Sequence, residues 1–184
     1  DASTRDEPAR RGPRRRRIIR DVSHVEHRAD APRSVRCFVL TISDTRTEAT
    51  DTSGRAIADL LAAAGHVVTA RRIVQDDPDE VTLQLVKELQ GGDAQVIITT
   101  GGTGITSRDS TYEAVADLLE KRLDGFGELF RMLSFQEIGA AAMLTRACAG
   151  VARGKAIFVL PGSEAAVRLA MTRLILPELG HIVR

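Results

Sequence analysis

Three short apolar runs alternate with two amphipathic segments, and this alternation constrains the fold most strongly. Residues 35–42, 66–74 and 96–100 are rich in β-branched side chains, which is typical of buried strands. Between them, residues 51–64 and 78–91 carry apolar side chains at helical spacing. Strands and helices in this order predict βαβ units on a mostly parallel sheet.

The pattern changes near the carboxyl end of the chain. Residues 145–151 and Lys155–Leu160 are strand-like runs joined only by Ala152-Arg153-Gly154. A parallel connection needs a crossover of about a dozen residues or more, so this short link predicts an antiparallel hairpin. A helix over about 163–176 follows. The predicted fold is an α/β three-layer sandwich with a mostly parallel mixed sheet and one antiparallel hairpin near the C-terminus.

Charge divides the chain near Ser34. Residues 1–34 hold ten arginines and six acids, a balance of +4, whereas the whole chain carries only +1. We therefore predict a basic N-terminal extension over 1–34 and one folded domain over 35–184. The arginine cluster 14–17 can bind nucleic acid or an acidic membrane surface, but no aromatic side chain precedes Phe38 to stack on bases. A solvated extension is favoured, and nucleic acid is not the expected partner.

Composition excludes several classes of protein. With 43% hydrophobic residues the chain can bury a core, and no run approaches the roughly 18 apolar residues of a membrane helix. Cys37 and Cys148 are too few for a disulfide or zinc framework, and both fall in predicted strands as small buried side chains. No apolar signal-peptide core is visible. We expect a soluble cytoplasmic protein.

The run TTGGTG at residues 99–104 directly follows the third strand. Its glycines let the backbone turn tightly and bring N–H groups close to an anion, and threonine hydroxyls add donors. It lacks the Gly-Lys-Ser/Thr of a Walker A loop and the third glycine of a dinucleotide fingerprint. It predicts a phosphate-binding loop, with a tight turn that binds no ligand as the alternative. The predicted binding residues are Thr100, Gly101, Gly102, Thr103 and Gly104.

Two aspartates lie beside this loop in the predicted fold. Asp109 follows Gly104 and can either cap the next helix or hold Mg²⁺ against phosphate oxygens. Asp77 precedes Pro78 and fits a helix cap, which leaves Asp76 without an evident structural role. The pair Asp76 and Asp109 suits metal or proton-transfer duty in phosphoryl chemistry, although two solvated loop acids explain the spacing equally well.

Two further loops follow predicted strands. Pro161, Gly162 and Ser163 precede the last helix, where Ser163 can cap that helix or bind an anion, and Ser43 with Asp44 follows the first strand. The carboxyl ends of parallel strands meet at one edge, so we expect all these loops to converge there. No histidine stands at a telling distance from a serine or cysteine, so no nucleophilic triad is predicted.

These motifs together resemble the MoaB/MogA-like molybdopterin-binding family over residues 35–184. The similarity rests on TTGGTG with Asp109, on GFGE at 125–128 with FRMLS at 130–134, on Arg146, and on the loops at Ser43 and at 161–163. The run FRMLSFQEIG is closer to the MoaB branch. The resemblance implies molybdenum cofactor biosynthesis, in which active members use Mg-ATP to adenylylate molybdopterin at its terminal phosphate and release pyrophosphate.

The resemblance also implies individual roles. Asp76 and Asp109 match the catalytic residues linked to Mg²⁺, while residues 100–104 and 161–163 match positions that bind nucleotide and pterin phosphates. Matches to pocket-lining positions are Ser43, Asp44, Glu128, Ser134 and Arg146. A trimer or hexamer is implied, with ATP and molybdopterin as substrates and other enzymes of the pathway as further partners. The alternative is a protein that binds molybdopterin without catalysis.

Overall fold

A computed structural model describes residues 32–105 and 111–183, which form one six-stranded sheet with helices on both faces. The strands lie in the order β2-β1-β3-β6-β5-β4. Their bounds are β1 Arg36–Ile42, β2 Val67–Val74, β3 Val96–Gly101, β4 Lys121–Arg122, β5 Cys148–Ala152 and β6 Lys155–Leu160.

The sheet is mixed, as predicted. Strands β2, β1, β3 and β6 pair in parallel, whereas β5 pairs antiparallel with β6 and with the short edge strand β4. Arg153 and Gly154 join β5 to β6 with φ angles of 48° and 74°. Positive φ at both central residues is what a tight type I′ hairpin turn requires, and its twist matches that of the strands. The predicted hairpin is therefore confirmed.

Helices cover both faces of the sheet. They are α1 Thr52–Ala63, α2 Pro78–Gly91, α3 Thr111–Asp117, α4 Asp124–Ile138, a 3₁₀ helix Gly139–Leu144, α5 Glu164–Ala170, a π-helical segment Met171–Ile175 and α6 Leu176–Ile182. Helices α1, α4, α5 and α6 pack on one face and α2 and α3 on the other. Alternate residues of β1 pack into the cores on opposite faces of the sheet: Val39 packs on the side of α1 and Leu40 on the side of α2. The three layers match the prediction.

Two boundaries differ from the predicted ones. Strand β5 begins at Cys148 rather than at 145, because the Thr145 N–H closes the 3₁₀ helix on the Ala142 carbonyl. The last helix does not end at 176 but continues through the π-helical segment to Ile182. Pro177 has no N–H to donate to the preceding turn. The wider π turn directly before it lets the helix continue without that hydrogen bond.

The boundary between the predicted extension and the domain lies at the start of the described chain. Val35 is fully buried, and the Ser34 hydroxyl donates to the Gly65 carbonyl at 2.9 Å. Residues 1–31, with the arginine cluster 14–17, lie outside the described residues. Across 32–105 and 111–183, no helix combines the length and apolar character that a membrane crossing demands.

Candidate functional site

The carboxyl ends of the four parallel strands lie side by side at one edge of the sheet. Ile42 of β1 pairs with both Val74 of β2 and Gly101 of β3, and Thr100 pairs with Leu160 of β6. The loops that leave these strands therefore start next to each other, as the sequence predicts.

Two glycines shape the start of the predicted phosphate-binding loop, residues 101–104, which we call the glycine loop. Gly101 and Gly102 have φ angles of 97° and 63°, a region that side chains with a Cβ rarely occupy. A Cβ on Gly101 would collide with the Ile42 carbonyl oxygen, and one on Gly102 would lie 3.0 Å from the side chains of Ile42 and Thr111. The backbone can turn here, against β1, only because both positions are glycine.

The 161–163 turn lies directly against this loop. The Thr100 hydroxyl donates to the Pro161 carbonyl at 2.9 Å, and a Cβ on Gly162 would be 3.4 Å from the Gly101 Cα. The Ser53 hydroxyl at the start of α1 donates to the Gly162 carbonyl at 3.1 Å. Ser163 accepts from the Ala166 N–H and caps α5, which was one of its two predicted roles. Hydrogen bonds thus fix the turn beside Gly101.

Asp76 connects two of the converging loops. Its carboxylate Oδ1 accepts the Thr111 hydroxyl at 2.6 Å, and its backbone N–H donates to the Asp44 carboxylate at 3.0 Å. Asp77 caps α2 through the N–H groups of its first turn, as predicted. Asp76 therefore has a structural partner that its position in the sequence does not reveal. Asp109 lies outside the described residues.

Arg146 holds the far end of the glycine loop. Its guanidinium donates to the Thr103 carbonyl at 3.1 Å and also to the Gly104 carbonyl, and it pairs with the Glu113 carboxylate. The same group lies over the Tyr112 ring, 4.8 Å from the ring centroid. Carbonyl oxygens that are bound in this way point toward Arg146, so the arginine orients the backbone of the loop.

The loop 43–51 forms the other wall of the site. The Ser43 N–H donates to the Val74 carbonyl at 2.8 Å, and its hydroxyl accepts from the N–H of Arg46 at 3.2 Å. Beside this loop is a cavity of about 530 Å³, within the usual range for small-molecule sites. The residues that line the cavity are Ser43, Asp44, Arg46, Thr47, Glu48, Ile73, Val74, Gln75 and Glu80. A smaller cavity of about 60 Å³ leads from Ser43 and Arg46 to Gly101 and Gly162.

A buried ion pair anchors this wall, and the sequence reasoning did not find it. Asp51 is completely buried; it caps α1 through the Gly54 N–H and accepts the Thr41 hydroxyl and the Arg71 guanidinium, each at 2.8 Å. Arg71 also pairs with the exposed Glu48 carboxylate. The predicted helix over 51–64 includes Asp51 as its first residue, and no local pattern indicates that this carboxylate caps the helix or that a residue of β2 neutralises it.

Glu128 and Ser134 both lie on α4, the first exposed and the second buried. Within residues 32–105 and 111–183, neither forms a hydrogen bond or ion pair with the loops at the strand ends. The structure thus brings Ser43, Asp44, Asp76, Arg146 and the two glycine-bearing loops together. The pocket-lining roles of Glu128 and Ser134 remain predictions.

The thiols of Cys37 and Cys148 are buried and unreactive at neutral pH. Burial raises the pKa of Cys37 to about 12 and also raises the pKa of Cys148 above its ordinary value. Neither thiol ionises at neutral pH, so both act as small apolar side chains, as predicted. Among the described side chains, no group of three or more His, Cys, Asp or Glu residues is arranged to hold a metal ion.

Comparison with known proteins assigns the chain to a family. Residues 38–181 match the model of the family described as "Probable molybdopterin binding domain". The chain belongs to this family. The resemblance stated from the motifs is therefore confirmed, including its preference for the MoaB branch.

Relatives of the molybdopterin-binding family match nearly the whole folded domain. Molybdenum cofactor biosynthesis protein B of Halalkalibacterium halodurans is 57% identical over 160 residues, which are 86% of this chain and 94% of that protein. The protein of the same name from Bacillus subtilis is 48% identical over 160 residues, again 86% of this chain and 94% of that one.

Solved structures agree with the fold. A crystal structure of molybdenum cofactor biosynthesis protein B superposes with a TM-score of 0.80 at 55% identity and covers 83% of this chain and 96% of its own. The tungsten cofactor synthesizing protein MoaB from Pyrococcus furiosus gives a TM-score of 0.73 at 41% identity, with 83% and 97% covered.

Proposed function

We propose that this protein acts in molybdenum cofactor biosynthesis as an adenylyltransferase, which transfers the adenylyl group of Mg-ATP to the terminal phosphate of molybdopterin. Family membership supports the pathway. The observation that carries the reaction is the contact of the glycine loop with the 161–163 turn and, through Thr111, with Asp76. The glycine loop, the 161–163 turn and the Asp76 carboxylate thus lie together at the carboxyl ends of the parallel strands.

The proposed step is an in-line substitution at phosphorus. An oxygen of the pterin phosphate forms a bond to the α-phosphorus of ATP, and the bond from that phosphorus to the bridging oxygen breaks. Pyrophosphate leaves with the bond electrons, and a phosphoanhydride joins the pterin to AMP. A phosphate monoester has its second pKa at about 6, so the attacking group is already anionic at neutral pH. No side chain has to remove a proton from it.

The residues at the strand edge would then act by positioning and by charge neutralisation. The backbone of residues 101–104 would offer N–H groups to substrate phosphates, with Thr100 and the 161–163 turn alongside. Arg146 holds the Thr103 and Gly104 carbonyls, which keeps those oxygens turned toward the guanidinium. A cavity of about 530 Å³ beside Ser43 and Asp44 would accept the organic part of one substrate.

The carboxylates at the site would bind the Mg²⁺ ion of Mg-ATP. Mg²⁺ is usually held by one or two carboxylates together with substrate phosphates. Asp76 has one carboxylate oxygen bonded to Thr111 and the adjacent Asp44 carboxylate nearby, and the resemblance adds Asp109. Bound Mg²⁺ would neutralise charge on the phosphates.

The alternative function is binding of molybdopterin without catalysis. Purified protein, molybdopterin and Mg-ATP, with pyrophosphate and adenylylated pterin as readouts, separate the two. Adenylyl transfer predicts one pyrophosphate for each adenylylated pterin, whereas binding alone predicts a bound pterin and no pyrophosphate. Because the reaction uses ATP, we expect it in the cytoplasm.

We also propose that the protein is a homo-oligomer, a trimer or hexamer as the resemblance implies. An unusually apolar surface on α4 and the 3₁₀ helix supports this, because monomers rarely expose such patches. Its exposed side chains are Leu129, Met132, Phe135, Ile138, Met143 and Leu144.

The assembly can be tested at the middle of that surface. Phe135, with 61% of its surface exposed, is replaced in Phe135→Glu, and the neighbouring exposed Gln136 supplies the matched control Gln136→Glu. Light scattering should give three or six chains for the parent and the control and a smaller particle for Phe135→Glu. A monomeric parent protein would contradict the proposal.

A further inference from the structure

A small polar pocket lies beside the candidate site, where α4 starts and β4 meets β5. Its volume is about 140 Å³, well below the roughly 300 Å³ at which pockets for drug-sized ligands begin. The polar side chains that line it are Tyr112, Arg122, Asp124, Arg131 and Cys148, with Gly127 at its wall. Of the proposed catalytic and phosphate-binding residues that lie within 32–105 and 111–183, none lines this pocket.

The guanidinium of Arg131 lies at this pocket. It folds back along α4, so that a Cβ on Gly127 would lie 3.0 Å from its Nη1 and 2.9 Å from the Ala147 carbonyl oxygen. Gly127 is buried, and the absence of a side chain there makes room for the guanidinium. Arg131 forms no hydrogen bond or ion pair with residues 32–105 or 111–183. A half-buried cation that no carboxylate of the described chain neutralises favours an anion.

A second guanidinium faces the same space. Arg122 donates to the Tyr112 hydroxyl at 3.5 Å and lies 3.6 Å from the Asp124 carboxylate. Both contacts are long, and the Arg122 and Asp124 side chains are 48% and 77% exposed, so their pairing contributes little. Two guanidinium groups against one solvated carboxylate leave the pocket with a net positive charge.

We propose that this pocket binds one tetrahedral oxyanion, a phosphate or sulfate group, between Arg131 and Arg122. Guanidinium groups present paired N–H donors that match the oxygens of such an anion, and charge-assisted bonds of this kind are the strong ones. The Tyr112 hydroxyl adds one more donor. The volume encloses one such group, either a free ion or the phosphate end of a nucleotide, but it is too small to enclose a whole nucleotide.

Tyr112 connects the pocket to the candidate site. Its ring lies under the Arg146 guanidinium at 4.8 Å, and its hydroxyl meets Arg122. An anion between Arg122 and Arg131 is therefore one aromatic ring away from the arginine that orients the glycine loop. The anion is either a free inorganic ion or the phosphate of a nucleotide, and both have the same tetrahedral chemistry. The pocket would bind it whether or not the protein transfers an adenylyl group.

Arginine Nε–Hε resonances of ¹⁵N-labelled protein test this at single residues, with Arg131→Met, Arg122→Met and Arg173→Met for assignment. Titration with inorganic phosphate, and separately with AMP, should shift the Arg131 and Arg122 signals along one saturable curve and leave the exposed Arg173 unmoved. In Arg131→Met the affinity reported by Arg122 should fall about tenfold or more. Saturation by phosphate identifies a free anion, and saturation by AMP alone a nucleotide phosphate.

Two results would overturn the proposal. One is an Arg131 signal that stays unmoved with both ligands or drifts linearly together with Arg173. The other is an Arg122 response that keeps its full affinity in Arg131→Met. Because the first observation is made on the parent protein, a variant that fails to fold does not decide the outcome.

Discussion

The Thr111 hydroxyl donates to the Asp76 carboxylate across 2.6 Å, and this bond joins the helix after the glycine loop to the end of β2. Thr111 is buried, with 1% of its surface exposed, so its hydroxyl has little access to water. The bond fixes one carboxylate oxygen of Asp76 and leaves the other for a ligand. In the proposed reaction Thr111 is thus a positioning residue for Asp76.

Replacing the Thr111 hydroxyl tests that role. Thr111→Val keeps the shape of the side chain but removes the donor, and we expect pyrophosphate release to fall by about tenfold to a hundredfold because Asp76 loses its orientation. Stability should fall by about 1 kcal/mol. Urea unfolding and steady-state kinetics measure the two effects. Thr172→Val, which removes an exposed hydroxyl bonded to the Arg168 carbonyl, is the control. Equal kinetics in the two variants would refute the role.

Gly101 should tolerate no side chain. Gly101→Ala introduces a Cβ against the Ile42 carbonyl at a φ of 97°, and we expect a loss of about 2 kcal/mol or more in stability together with weaker nucleotide binding. Gly91→Ala is the matched control, because no atom lies within 4 Å of a Cβ there. Chemical denaturation and calorimetry with Mg-ATP provide the readouts. A Gly101→Ala variant as stable as Gly91→Ala would show that the turn is not constrained.

Arg71 should matter far more than its neighbour on β2. Arg71→Met leaves the fully buried Asp51 carboxylate without its cation, which should lower stability by about 3 kcal/mol. Arg72→Met removes an exposed arginine that bonds only to Gln84 among the described residues, and a change within about 0.5 kcal/mol is expected. Urea unfolding of both variants gives the comparison. Similar losses for the two would contradict the anchoring role of Asp51.

The buried Cys37 thiol makes stability depend on alkaline pH. Its folded pKa is about 12 against an ordinary 9.0, so above pH 9 the unfolded chain loses a proton that the folded chain retains. Stability from this residue is therefore present below pH 9 and lost as pH rises from 9 toward 12, by about 1.4 kcal/mol between pH 8 and pH 10. Cys37→Ala should lack this part of the decline. Parallel stability curves for the two proteins would disprove it.

Local patterns predicted most of the frame of the fold. The alternation of strands and helices, the hairpin before Lys155 and the caps at Asp77 and Ser163 all follow from periodicity and turn chemistry, which act within a few residues. Helix α4 was not predicted: its first turn contains Gly125 and Gly127 and has no side-chain cap. Its stability comes from packing of buried side chains in the core, which local propensity does not report.

The interactions that build the site were largely invisible in the sequence. The loops were located because each follows a strand of a parallel sheet. The hydrogen bonds from Arg146 to Thr103 and from Arg71 to Asp51 join residues 43 and 20 positions apart, and no local pattern encodes such pairs. They become apparent only when the register of the sheet is known.

Formation of adenylylated molybdopterin by the purified protein tests the central claim most directly. With molybdopterin and Mg-ATP, we expect the parent protein and the control Asp79→Ala, which removes an exposed acid of α2, to release pyrophosphate and form the adenylylated pterin in equal amounts. Asp76→Ala and Asp109→Ala should form no product while remaining folded. Product formation at the parental rate in both aspartate variants, or none in the parent protein that binds molybdopterin, would contradict adenylyl transfer at this site.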